Sequence, residues 1–368
     1  MVSYTDLADQ KAAEDVNQQL DSSSEANQDH NPESTPSTQQ KEQQKRSNHK
    51  ARLHQAMKLT PIIISAPSKA AQDEAAAMTG LETRVCGLVE NLKSTSFEIV
   101  REATSELRML AKDLDNQILI ASCGAISPLV DLLHSSDLKC QENAVTAILN
   151  LSISNNNKVN IVKADAIEAL NHVLKTGTSE ARENAAATLY SLSVFEENKI
   201  MIGNSEAIGL LVELLENGTA RGKKDAATAL FYLSTNTENR VKMVRSGAVK
   251  HLIDLMDPAT GMVDRAIVVL ANLASNAEGR KAIAEAGGIS HLVEAIELGS
   301  PRGKENAAAA LVHFCSDSNR YCRRVLEEGA VPPLVILSKS GTARAKEKAN
   351  RLLQHLRNLQ AAYNARKG

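Results

Sequence analysis

Apolar positions recur along this chain with a short helical spacing set inside a long repeat. Lys139 to Ser152 reads KCQENAVTAILNLS. The pattern returns as ARENAAATLYSLS at Ala181, GKKDAATALFYLS at Gly222, MVDRAIVVLANLA at Met262 and GKENAAAALVHFC at Gly303. Weaker copies lie at Val100 to Ala111 and Lys346 to Leu356. One alanine marks the period: Ala103, Ala144, Ala185, Ala226, Ala266, Ala307 and Ala349, in steps of 41, 41, 41, 40, 41 and 42. Four residues later stand Leu107, Ile148, Leu189, Leu230, Leu270, Leu311 and Leu353, and seven later Leu110, Leu151, Leu192, Leu233, Leu273, Phe314 and Leu356. Spacing of i, i+4, i+7 puts all three on one face of a helix. The constantly small first position predicts a close helix crossing, where a larger side chain would cost about 1–3 kcal/mol.

A second helix precedes each copy. It opens at Val85, Ile126, Ile167, Ile208, Val249, Ile289 and Val331, with Leu88, Leu129, Leu170, Leu211, Leu252, Leu292 and Leu334 three residues on. Gly124, Gly247, Gly287 and Gly329 stand before it, where a sharp turn needs positive φ. Before that glycine lies a short segment such as Asn157 to Val162 or Asn239 to Val244. A unit is thus a short, a medium and a long helix, with loops broken at Lys175 to Thr178, Asn217 to Thr219 and Asp257 to Gly261. Three helices in about 41 residues is the armadillo pattern. HEAT arrays use two helices per unit, and the separate short helix argues against them. The fold expected is all-α: an armadillo-repeat right-handed superhelical solenoid of about seven units over 81–358, the first incomplete at its start. A disordered polar leader over 1–80 precedes it, and a frayed tail over 359–368 follows. Ala70 to Gly80 is expected to cap the array or supply part of the missing first helix. The charged helix at Ala345 to His355 reads as the other cap, since terminal repeats need a polar outer face.

Composition narrows the function classes. Aromatic content is 2% and Trp is absent, so the core must be aliphatic and no aromatic cofactor box is available. Net charge is −2 and the pI about 6.5, which leaves no electrostatic footprint for nucleic acid. Cys86, Cys123, Cys140, Cys315 and Cys322 follow no metal spacing and are expected to be reduced thiols. No signal peptide or membrane-length apolar run is visible, so a soluble monomer in the cytoplasm, the nucleus or both is expected. Asp21 to Lys50 is rich in Ser, Asn, Gln, Glu and Pro, with no large apolar residue to offset chain entropy. The cluster from Lys45 to Arg52 reads either as a solvated linker or as a nuclear-localisation peptide. Ser22, Ser23, Ser24, Ser34 and Ser37 are candidate phosphorylation sites.

No phosphate loop, nucleophile elbow or HExxH helix is present, and the histidines fall in shared repeat slots. No catalytic, metal or cofactor site is expected. Solenoids bind along their concave surface. On the long helices, the positions one before, two after and six after the repeat alanine share the face away from the apolar stripe. Six after, that face carries Met109, Asn150, Ser191, Tyr232, Asn272, His313 and His355. Two after, it carries Thr146, Thr228 and Arg351 among others. The groove residues singled out are Asn150, Thr146, Ser191, Thr228, Tyr232, Asn272 and His313. An Asn amide both donates to and accepts from an extended backbone, and Tyr232 offers aromatic area. Asn143, Asn184 and Asn306 are expected to start or brace the helix instead.

Several stretches carry a resemblance. Gln141 to Ala144, Asn217 to Phe231, Leu255 to Asp264, Glu328 to Val335 and Ser340 to Ala349 resemble the armadillo region of plant U-box ubiquitin ligases. The resemblance covers roughly 81–358 and extends to the loops. It implies protein ubiquitination as the pathway. It also implies a U-box ahead of the repeats, with a Cys-Pro-Ile segment, and residues 1–80 hold nothing of that kind. The expectation is therefore the partner-binding half alone, with no ligase activity of its own. Nuclear-import receptors resemble the fold but grip basic peptides with Trp and Asn ladders. The missing Trp argues against that mode.

Two functions follow as expectations. The first is a protein-protein interaction scaffold or adaptor that holds an extended peptide or a helix in the concave groove. The second is the substrate-recognition component of a U-box-type ubiquitin ligase pathway, whose partners would be a ligase or its substrate.

Overall fold

The computed structural model describes residues 69–365, and every statement below concerns these. The leader, its serines and the basic cluster from Lys45 to Arg52 lie outside them. Among these residues, the array forms one compact unit from Gly80 onward. Among the described residues the secondary structure is helical throughout.

The first unit has α1 (Lys69–Asn91) and α2 (Phe97–Leu110). The residues expected to cap it form one continuous helix with its medium helix. The second unit has α3 (Leu114–Ser122), α4 (Ile126–Asp131) closed by a 3-10 turn, and α5 (Leu138–Leu151). The third has α6 (Asn155–Lys163), α7 (Ala166–Thr176) and α8 (Ser179–Leu192). The fourth has α9 (Glu196–Asn204), α10 (Ala207–Asn217) and α11 (Ala220–Ser234). The fifth has α12 (Thr237–Arg245), α13 (Ala248–Asp254), a 3-10 turn (Pro258–Thr260) and α14 (Val263–Ala274). The sixth has α15 (Ala277–Glu285), α16 (Gly288–Leu298) and α17 (Pro301–Asp317). The seventh has α18 (Asn319–Glu327), α19 (Val331–Ser340) and α20 (Ala343–Asn364).

The alanine stripe is buried in every unit, and the aliphatic residues four positions on are buried with it. Leu110 departs, being only partly buried in the first unit. Gly124, Gly247, Gly287 and Gly329 take φ of 80°, 80°, 78° and 77°, as the turn before the medium helix requires. In the third unit Asp165 fills that role at φ 59°. At the seventh unit Val331 stays 36% exposed, with no eighth unit among the described residues to cover it. The last helix runs to Asn364, beyond the expected boundary at Asn358, because Leu359 still packs on the core.

Candidate partner-binding surface

The long third helices α2, α5, α8, α11, α14, α17 and α20 pack consecutively against one another into one layer. Polar residues at both ends of these helices fix the spacing. At the N-terminal ends the caps are Asp137, Thr178, Thr219, Ser300 and Thr342, each accepting the backbone N–H three residues on. The cap hydroxyls also reach the preceding unit. Thr178 Oγ1 donates to Glu142 at 3.0 Å, Ser300 to Asp264 at 2.8 Å and Thr342 to Glu305 at 2.6 Å, and Thr219 donates to Glu183. Carboxylates beside helix N-termini complement the helix dipole.

The C-terminal ends are closed by the short helices of the next unit. Asn157 Nδ2 donates to Leu151 O at 3.2 Å and to Gln117 O at 3.1 Å. Asn239 repeats this with Leu233 O at 3.3 Å and Lys199 O at 2.9 Å. Asn198 donates to Leu192 O at 2.9 Å. One residue after each stands a cation, Lys158, Lys199 and Arg240, and Arg280 takes the same place in the sixth unit. Arg240 Nε donates to Ser234 O at 2.8 Å, and its Nη1 to Ser275 Oγ at 2.8 Å. Arg280 donates to Ala274 O at 2.9 Å and pairs with Asp317 at 2.8 Å. Cations there satisfy orphan carbonyls at the negative end of the dipole. This row was not singled out from the sequence. Its signal was the recurring Asn-Lys or Asn-Arg pair at Asn157, Asn198 and Asn239.

The seven residues singled out from the sequence divide by environment. Asn150 is half-buried, and its Nδ2 donates to Arg108 O of the preceding third helix at 3.2 Å. Asn272 does the same to Ser234 Oγ at 2.9 Å. Thr146 accepts from Asn184 Nδ2 at 2.8 Å while donating to Glu142 O at 2.7 Å. Ser191 and Ser152 hydroxyls meet at 3.0 Å. Thr228 and Tyr232 are buried, which corrects the expectation that this face is open there. Thr228 turns its hydroxyl onto Lys224 O at 2.7 Å. The Tyr232 ring stacks on Tyr190 at 5.6 Å, and Phe231 meets it edge-on at 5.1 Å. His313 is exposed. Desolvation, then the charges of Arg280, Arg351, Arg240 and Lys348, hold its pKa below the ordinary histidine value. Among the braces, Asn184 also accepts from Arg221 at 2.6 Å, and Asn306 donates to Arg302 O of its own helix at 3.0 Å.

The arrangement therefore offers hydrogen-bonding groups already partnered between units, an aromatic pair at the fourth unit and a cationic environment towards the seventh. Among the described residues no three His, Cys, Asp or Glu side chains converge as metal ligands.

The plant U-box protein ARM repeat region matches residues 84–363. U-box domain-containing protein 4 of Arabidopsis thaliana is 63% identical over 261 residues, which are 71% of this chain and 31% of that protein. U-box domain-containing protein 13 of the same plant is 50% identical over 100 residues, 27% of this chain and 15% of that protein. The chain thus spans a third or less of the length of these curated relatives. Among solved structures, an engineered protein is similar with a TM-score of 0.65 at 28% identity, over 74% of this chain and 68% of that one. A structure from work on the interaction between cadherin and β-catenin gives a TM-score of 0.69 at 18% identity, over 81% and 62% of the two chains, a likeness of fold alone. Repeat, loops and family match agree: the chain belongs to the plant U-box proteins, whose armadillo-repeat region it carries.

Proposed function

We propose that this array is a protein-interaction scaffold or adaptor that holds an extended segment or a helix of a partner protein along its third-helix layer. One observation carries the reading. The apolar stripe is constant, whereas the neighbouring positions change from unit to unit and leave Met109 52% exposed and His313 open to solvent. A continuous surface with a different side chain at each step suits an extended ligand. The test compares partners captured by the wild-type chain with those captured by Met109→Glu/Asn150→Glu/His313→Glu, after circular dichroism shows equal helicity. Loss of partners is expected; recovery of the same set overturns the reading.

A second reading is substrate recognition in a ubiquitin ligase pathway, which membership of the U-box family supports. A captured partner, incubated with conjugating enzyme and a full-length U-box protein, is then expected to gain ubiquitin only when this chain is added. Conjugation that ignores the chain sinks it. A location in the cytoplasm or nucleus fits both readings, because all five cysteines are unbridged.

A further inference from the structure

The fifth unit breaks the repeat and opens a cleft beside it. Medium helices α7, α10 and α16 each run 11 residues, and the shorter α4 is continued directly by its 3-10 turn, but α13 stops after seven with no such continuation. The chain then folds into a turn of its own. Asp257 accepts the Ala259 N–H at 2.9 Å, Thr260 Oγ1 donates to Leu255 O at 2.9 Å, and Gly261 closes the turn at φ 66°. A cleft of about 1040 Å³ lies beside this turn, floored by the buried Ile253, Met256 and Met262 and flanked by Leu298 of α16. Leu298 is 73% exposed, the most open of the large apolar side chains described.

The rim is charged with one dominant sign. Asp254, Asp257, Asp264 and Glu294 line the cleft against a single guanidinium, that of Arg265, and the imidazole of His291. Asp264 already accepts the Ser300 hydroxyl at 2.8 Å. Asp254 lies 3.9 Å from His251 Nδ1 and keeps most of its side chain in water. His291 Nδ1 faces Gly287 O at 3.4 Å. An apolar cleft with a few convergent polar groups is the usual form of a binding site. A carboxylate rim selects its occupant by sign: it repels acidic segments and attracts basic ones.

We propose that this cleft is a second docking surface, for a basic amphipathic segment of a partner protein. The segment places an aliphatic or aromatic side chain against Leu298 and the methionine floor, with lysines or arginines over Asp254, Asp257 and Glu294. The surface is separate from the third-helix strip, of which Arg265 alone touches it.

The test uses two fluorescent 14-residue peptides, (LKKLLKL)2 and (LEELLEL)2, which share apolar positions and differ in sign. Anisotropy titration of the whole chain is expected to show the lysine peptide binding at least tenfold more tightly. Asp254→Lys/Glu294→Lys is expected to weaken it about tenfold, and Leu298→Ser about fivefold. Glu213→Lys occupies the same repeat slot as Asp254 in the preceding unit, where α10 runs its full length, and is expected to leave affinity within twofold. Met109→Glu/Asn150→Glu/His313→Glu is also expected to leave it unchanged, which separates this surface from the strip. Equal binding of the two peptides overturns the proposal. So does undiminished binding by the Asp254/Glu294 variant, or a loss from Glu213→Lys as large as from that variant. All the substituted residues of the cleft are exposed, and melting curves for each variant confirm the native fold.

Discussion

Asp137 shows how much one side chain does in this array. It caps α5 by accepting the Cys140 N–H at 2.8 Å, and it pairs with Arg101 from the preceding unit. The Arg101 hydrogen bond, then the Cys140 amide, lower its pKa to about 2. A depressed carboxylate contributes stability that is full above its unfolded pKa of about 4 and is lost as pH falls towards 2. Asp137→Asn keeps a capping oxygen and removes only the charge. Its urea midpoint is expected to lie below wild type at pH 6 and to converge with it near pH 2; a gap constant with pH would contradict this. Asp137→Ala is expected to cost about 1 kcal/mol more broadly, the usual worth of a cap. The neighbouring thiol behaves oppositely, because burial and then the Asp137 charge push Cys140 up to about 11. At pH 8 iodoacetamide is expected to label exposed Cys86 and to leave Cys140 unmodified until the chain unfolds. Mass spectrometry of the native protein reads the outcome. At this scale the sequence was legible where a residue answers to its own helix and misleading where it answers to the next. Ala144 and Ile148 follow from spacing alone. Tyr232 was placed on an open face by that same spacing, yet it is covered by Tyr190 of the adjacent third helix, which the small alanine stripe lets approach so closely.

Between elements, the contact of the short helices α9 and α12 includes a glycine. Gly203 of α9 leaves room for Asn239 of α12; a Cβ there would sit 1.7 Å from Asn239 Oδ1. Asn239 is buried and gives its amide to Lys199 O and Leu233 O. Asn239→Ala is therefore expected to cost about 1–3 kcal/mol, the price of orphaned buried acceptors. Gly203→Ala is expected to cost at least as much by clash. Their combination tests the geometry. Once the Asn239 side chain is cut back to a methyl, the obstruction is gone, so the double variant is expected to match Asn239→Ala within about 0.5 kcal/mol. Additive losses would show that the two do not meet. The turn glycines were readable beforehand, since positive φ leaves a residue type as its trace. The Gly203 pairing was not, because nothing within one unit announces which side chain of the next will lie against it.

Across the whole molecule, stability in a repeat array is a sum of unit terms and nearest-neighbour interface terms. The third helices meet least extensively between α11 and α14, where α13 is also cut short. The sequence carries a mark of this, the single step of 40 residues from Ala226 to Ala266. What that step opens in space is set by the side chains of the following unit, so the cleft itself was not legible. Limited elastase digestion is expected to cut first near exposed Ala259, ahead of the Gly177 and Gly218 loops. A first cut elsewhere in the array would place the weak interface differently. The same irregularity has a mechanical meaning. A row of coupled springs pulled from its ends yields at its softest joint, whatever the strength of the others. Under tension between two bound proteins, this array is expected to part at the fifth unit, in a first step of an optical-trap trace, while the units on either side stay folded.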